Sequence, residues 1–161
     1  MATIIGGYII FSFNNLWSNL ILDSSSIELP GSEIHEIVLH NNMLIIRFSK
    51  AYIVKTMTGS VERTRWWQAG ELIFTNVEVK SDVPQGQLVC AGGDIVENIY
   101  TYRDMIPIPF VSRGHIRCAL KFKDLNQPLL SAAQEVRLQL EGVAKYIEHL
   151  RPPSNIKNNN E

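Results

Sequence analysis

Basic residues are missing from the opening of this sequence, where the earliest lysine or arginine is Arg47. The apolar stretch from Met1 to Phe13 therefore lacks the positively charged flank of a secretory leader. Asn14 and Asn15 stop it well short of the roughly 20 apolar residues that a bilayer-spanning helix needs. We expect a buried N-terminal strand in a cytoplasmic protein.

Cysteine is also scarce. Cys90 and Cys118 stand far apart, outside any metal-ligand or redox spacing, and read as two buried free thiols in a reducing compartment. No charge of one sign dominates, since 15 basic residues face 16 acidic ones for a net charge of −1. Neither nucleic acid nor anionic membrane is an expected partner, because no long-range field would hold the protein there. Fixed-period repeats and long linkers are absent as well.

What is present suits an ordinary globular chain, with 45% hydrophobic and 19% charged residues in 161 positions. That length supports one core, so we expect a single β domain over 1–150. The segment 151–161, rich in proline, asparagine and charge, is expected to be a disordered tail.

Period-two patterning dominates. Between Ile34 and Met57 two apolar runs flank Asn41-Asn42, a pair that tolerates the positive φ angles of a type I′ hairpin turn. This loop predicts Ile37 opposite Ile46, Glu36 opposite Arg47 and His35 opposite Phe48, with an apolar face of Ile37, Leu39, Leu44, Ile46 and Phe48. Alternation fails at Ser49-Lys50-Ala51, which predicts a bulge. Gly92-Gly93 suggests the turn of a second hairpin over Gln87 to Tyr102, with Cys90 opposite Ile95. Glu71 to Val79 reads as a strand covered on both faces. His115 to Lys123 reads as a half-buried strand, with Ile116, Cys118, Leu120 and Phe122 inward. The prolines in Met105 to Phe110 confine that stretch to an edge or an extended loop. Ser131 to Leu150 fits either period; the reading adopted is a strand over about 135–142, then a short helical or irregular segment. About eight short strands with turns between them imply a mainly β fold, a single antiparallel β-sandwich or flattened barrel.

Chemical motifs are hard to find. His35-Glu36-Ile37-Val38-Leu39-His40 nearly matches the H-E-x-x-H metal site, but the second histidine is one residue late and strand parity sends the two rings to opposite sides. No metal or cofactor is expected. His115 and Cys118 differ in parity, which argues against a nucleophile and base. Neither Gly6-Gly7 nor Gly92-Gly93 has the context of a phosphate cradle. Glu28, Glu33, Glu36, Glu71, Asp94 and Glu97 offer no converging pair that the sequence can single out.

The most distinctive cluster is Arg63-Thr64-Arg65-Trp66-Trp67, since guanidinium forks and indole faces can engage anions or partner surfaces. Adjacent strand residues point to opposite faces, so one tryptophan is expected in the core and the other on the rim. Tyr100 and Tyr102 could extend the same surface. The leading expectation is a non-catalytic binding or interaction module that meets a protein or a small anionic ligand through Arg63, Arg65, Trp66, Trp67, Tyr100 and Tyr102. Two alternatives stay open: an enzyme or carrier working inside a barrel, and a homo-oligomer that pairs strand edges.

Overall fold

The structure, a computed structural model, describes residues 2–5, 8–11 and 23–152. The first two pieces are β1 (Ala2–Ile5) and β2 (Tyr8–Phe11), which pair antiparallel as a separate two-stranded sheet. The N-terminus is thus strand as expected, while its burial lies outside the described residues. The expected tail lies outside them from 153 onward.

The other nine strands are β3 (Ser24–His40), β4 (Met43–Thr56), β5 (Arg63–Thr75), β6 (Glu78–Val79), β7 (Leu88–Glu97), β8 (Tyr100–Arg103), β9 (Met105–Ile108), β10 (Val111–Phe122) and β11 (Leu129–Leu150). They form one antiparallel sheet in the order β8-β7-β10-β11-β5-β4-β3-β9, with β6 beside β11. A further pairing of β3 with β7 joins Glu33 to Val89 and Ile34 to Leu88, which closes β3, β4, β5, β11, β10 and β7 into a ring. Closure removes most free edges from the ring itself.

Inward-facing side chains fill the ring. Ile37, Leu44, Ile46, Leu72, Phe74, Ile95, Ile116, Leu120 and Val136 are buried, and their alternation with polar neighbours is the period-two pattern of the sequence. Outside, Arg47 bridges Glu36 and Glu71 across three neighbouring strands, its Nε donating to Glu71 at 2.8 Å and its Nη1 to Glu36.

Four irregularities shape the rest. Asn41 and Asn42 take φ values of 48° and 58°, as the asparagine pair predicts, and the register runs from His40 opposite Met43 to Glu36 opposite Arg47. There it shifts, so that Ile34 rather than His35 faces Phe48. The shift is physically sensible because it buries Ile34 and leaves His35 exposed. The bulge expected near Ser49 is present between Phe48 and Ala51 in the β4–β5 pairing. Upstream, the β3–β4 ladder breaks between Glu28 and Glu33, around Pro30 and Gly31, which has φ +87°. Buried Ser32 spans that gap: its hydroxyl donates to the Glu28 carbonyl at 2.6 Å and accepts from the Tyr52 amide at 3.1 Å.

This break divides β3. Its first half pairs with β9 and its second with β7, so the proline-bearing β9 lies at an edge as expected. Meanwhile β11 leaves β10 after Arg137 and continues beside β5 to Leu150. The first half of β3, the second half of β4, the first half of β5 and the end of β11 therefore form a sheet extension beyond the ring.

Several expectations need correction. Gly92 and Gly93 lie inside β7, not in a turn; the reversal is at Asn98-Ile99, where Asn98 has φ 53°. Glycine is required there because a Cβ on Gly93 would lie 2.2 Å from the Ala119 carbonyl oxygen. Accordingly Cys90 faces Phe122, and Ile95 faces Cys118. The strand expected over Glu71 to Val79 ends at Thr75, since Asn76 turns the chain with φ 53° before β6. No closing helix follows residue 142: β11 stays extended through Leu150, with Gly142 at φ +68° taking up a bulge between Glu141 and Lys145. Pairing with β5 fixes that segment as strand where its own periodicity was ambiguous.

Candidate functional site

The Arg63–Trp67 segment opens β5 and crosses the sheet extension, where strand parity divides it between two faces. Trp66 lies opposite Ile53 and Tyr146, and it packs against the core. Its ring meets Tyr146 edge-on at 5.3 Å, its Nε1 donates to Thr64 at 2.8 Å, and Lys55 Nζ lies 4.4 Å above it. Trp67 points the other way, opposite Tyr52 and Lys145. Lys145 Nζ lies 4.4 Å from its ring centroid and Lys50 Nζ 5.6 Å, so a half-buried indole is flanked by two cations. The expectation that the two indoles separate holds, with Trp66 on the core side and Trp67 on the outer face.

Arg65 shares the Trp67 face. Its Nη2 meets Glu28 at 2.5 Å and its Nη1 meets Glu148 at 3.4 Å, while the guanidinium lies 6.0 Å from the Tyr52 ring. The Glu28 hydrogen bond, more than any other contact, raises its pKa and holds it charged. The fork that could have clasped an anion is thus spanned by two carboxylates, and Arg65 ties β3, β5 and β11 together. Arg63, at the exposed start of β5, borders a cleft of about 290 Å³ with Ser24, Ser26, Glu28 and Thr56.

Tyr100 and Tyr102 do not join this surface. They sit on β8, which is separated from β5 by β7, β10 and β11 along the sheet. Tyr102 donates to Glu97 at 3.0 Å and packs edge-on against Phe110 at 5.5 Å, and burial pushes its phenol up to about 12. Repetition of the aromatic and arginine theme does not bring the two segments together, because strand order and not composition decides neighbours.

The residues missed by sequence reasoning are Lys50, Tyr52 and Lys145. Lys145 is a cross-strand partner of Trp67, and only register places it there. Lys50 could be anticipated only by knowing how the bulge after Phe48 turns it.

Other candidate chemistry is dispersed. His35 is exposed on β3, and no group of three metal-ligating side chains occurs among the described residues. Carboxylates serve separate structural contacts: Glu33 meets Lys50 at 3.8 Å, Asp94 meets Arg103 at 3.2 Å, and Glu97 accepts from Ser112 at 2.5 Å. Cys90 and Cys118 are buried free thiols whose pKa values burial pushes up to about 11 and about 12. Such thiols stay protonated near neutrality and are poor nucleophiles. Two larger clefts, about 640 and 800 Å³, lie beside β3, sharing Gln85 and Gln87 as walls. No helix among the described residues is long and apolar enough to cross a membrane.

Comparison with protein-family models, curated proteins and solved structures finds no match to this chain. The geometry of its own residues is what bears on function.

Proposed function

We propose that this protein is a non-catalytic interaction module that docks a partner protein on the outer face of the sheet extension, with Trp67 as the anchor. The observation that carries this reading is the placement of Trp67 between Lys50 and Lys145, with Tyr52 beside it, on a face turned away from the core. Large aromatic rings are enriched where interfaces form, since the ring contributes contact area at small entropic cost, and the two flanking lysines would select the partner's charge. Arg65 acts in this reading as the brace that fixes the platform, with both its ion pairs internal. A protein bearing acidic groups around an apolar centre suits the surface better than a small anion, because the guanidinium is already spanned. A reducing, cytoplasmic setting belongs to the same reading and is supported by the two unpaired buried thiols.

The test compares associations captured in cells by proximity crosslinking for the unaltered protein, Trp67→Ala and Arg65→Ala. Each variant is first checked for an unchanged far-ultraviolet spectrum. Loss of a reproducible subset of crosslinks in Trp67→Ala supports the reading. Identical capture by all three folded proteins removes this surface from consideration.

A further inference from the structure

Beyond Arg137 no strand among the described residues pairs with the outer side of β11, so its end forms an open edge of the extension. Open edges invite another strand, and proteins usually restrict that invitation by placing charge or bulges there. Here the edge is unusually apolar: Val143 is 84% exposed, Tyr146 50% and Ile147 39%. The charges set among them are Lys145 and Glu148.

The bulge at this point gives those two charges a particular relation. In a regular strand, residues three apart lie on opposite faces. Between Tyr146 and Glu148 the register against β5 shifts, so that Lys145 faces Trp67 while Glu148 faces Arg65, two residues away on β5. Lys145 and Glu148 consequently share one face, as their contacts with the Trp67 ring and the Arg65 guanidinium also require.

We infer that β11 pairs, antiparallel and edge to edge, with β11 of a second copy of this chain. A two-fold axis perpendicular to the sheet, passing between Tyr146 and Ile147, sets Lys145 of each copy opposite Glu148 of the other on the same face. It also sets Val143 opposite Leu150 and Tyr146 opposite Ile147. All these pairs occur twice by symmetry, which is the self-complementarity an isologous contact demands. Without the bulge, the same axis would bring residues of unlike face together. Lys145 then acts selectively: any strand lacking an acid opposite it is penalised, whereas the copy supplies one. Eight residues of paired strand give a small interface, so the association is reversible and concentration-dependent.

The inference is independent of docking at Trp67, because it reads self-association of the pure protein. Sedimentation velocity across a concentration series is expected to show a shift from the 18.2 kDa chain toward twice that mass. Lys145→Glu and Glu148→Lys each place like charges opposite one another at two points and should weaken dimerisation at least ~10-fold. The double variant Lys145→Glu with Glu148→Lys exchanges the charges and should restore it. Hydrogen exchange on the unaltered protein supplies a measurement that depends on no variant: amides within 143–150 should gain protection as concentration rises. A chain that remains monomeric throughout, single reversals that dimerise normally, a double variant as weak as the singles, or exchange within 143–150 that ignores concentration would each overturn the inference.

Discussion

Gly93→Ala tests whether close approach of β7 to β10 holds the ring together. Gly93 has φ +152°, and a Cβ there would lie 2.2 Å from the Ala119 carbonyl oxygen and 2.9 Å from Leu120 Cα. Both obstacles are backbone atoms of β10, which is paired on its other side with β11, so neither can swing aside as the tip of a side chain could. The strained backbone costs ~1–3 kcal/mol and forced displacement of a packed strand a further ~1–3 kcal/mol, for a total of about 2–6 kcal/mol. Gly86→Ala is the matched control: its φ is +83°, but nothing lies within 4 Å of the added Cβ, so only the backbone cost of ~1 kcal/mol applies. At roughly 2–4 °C per kcal/mol for a chain of this size, Gly86→Ala should lower Tm by about 3 °C and Gly93→Ala by about 10 °C. Thermal denaturation followed by circular dichroism measures both. Equal losses would refute the reasoning, since they would mean that the inter-strand contact imposes nothing beyond backbone conformation.

Ser32→Ala removes the hydroxyl that spans the break in β3 and leaves the Tyr52 amide without its acceptor; a loss of ~1–3 kcal/mol is expected in urea titration. Burial pushes the thiols of Cys90 and Cys118 up to about 11 and about 12, above the ordinary thiol value of 9.0. Both are raised, so their contribution to stability is full below about pH 9 and is lost as pH rises toward the folded values, because the unfolded chain releases its protons first. Denaturation midpoints should therefore fall from about pH 9 upward, and less steeply in Cys90→Ala/Cys118→Ala. At neutral pH, native protein should react with iodoacetamide far more slowly than protein in urea, a difference read by intact mass.

Much of the fold could be read directly because alternation and turn chemistry agreed. Asn41-Asn42 fixed a two-residue turn, and from it the register from His40–Met43 to Glu36–Arg47, five successive pairs, followed correctly. Inward placement of Ile116, Cys118, Leu120 and Phe122 followed from parity alone, and all four are buried. Reasoning of this kind runs until the first residue that breaks parity, and such residues have different causes. At Ser49-Lys50 the break shows as a failed alternation. At His35 it does not, since Ile34 and His35 are equally compatible with the strand, and only the burial of Ile34 decides between them.

Glycine exposes the same ambiguity from another side. A doublet permits both a turn and a close approach between strands, and the sequence near Gly92-Gly93 carries no mark that separates them. Asn98 does the turning that the glycines were expected to do, through the left-handed conformation that asparagine tolerates.

The candidate surface was legible to the extent that it depended on one strand and illegible where it depended on three. Opposite orientation of Trp66 and Trp67 is a property of β5 itself. Engagement of Arg65 by Glu28 and Glu148 requires β3 and β11 to flank the extension, which in turn requires β3 to break at Pro30-Gly31 and β11 to continue past Gly142. Those two irregularities convert part of a closed ring into a sheet whose β11 edge is unpaired among the described residues. They also decide which residues reach one another: the shift near Ile147 brings Lys145 and Glu148 to one side, a relation that no count along the chain could supply. Bulges in this protein thus select the partners of Trp67 and Arg65, and departures from period two determine the chemistry of a fold that period two builds.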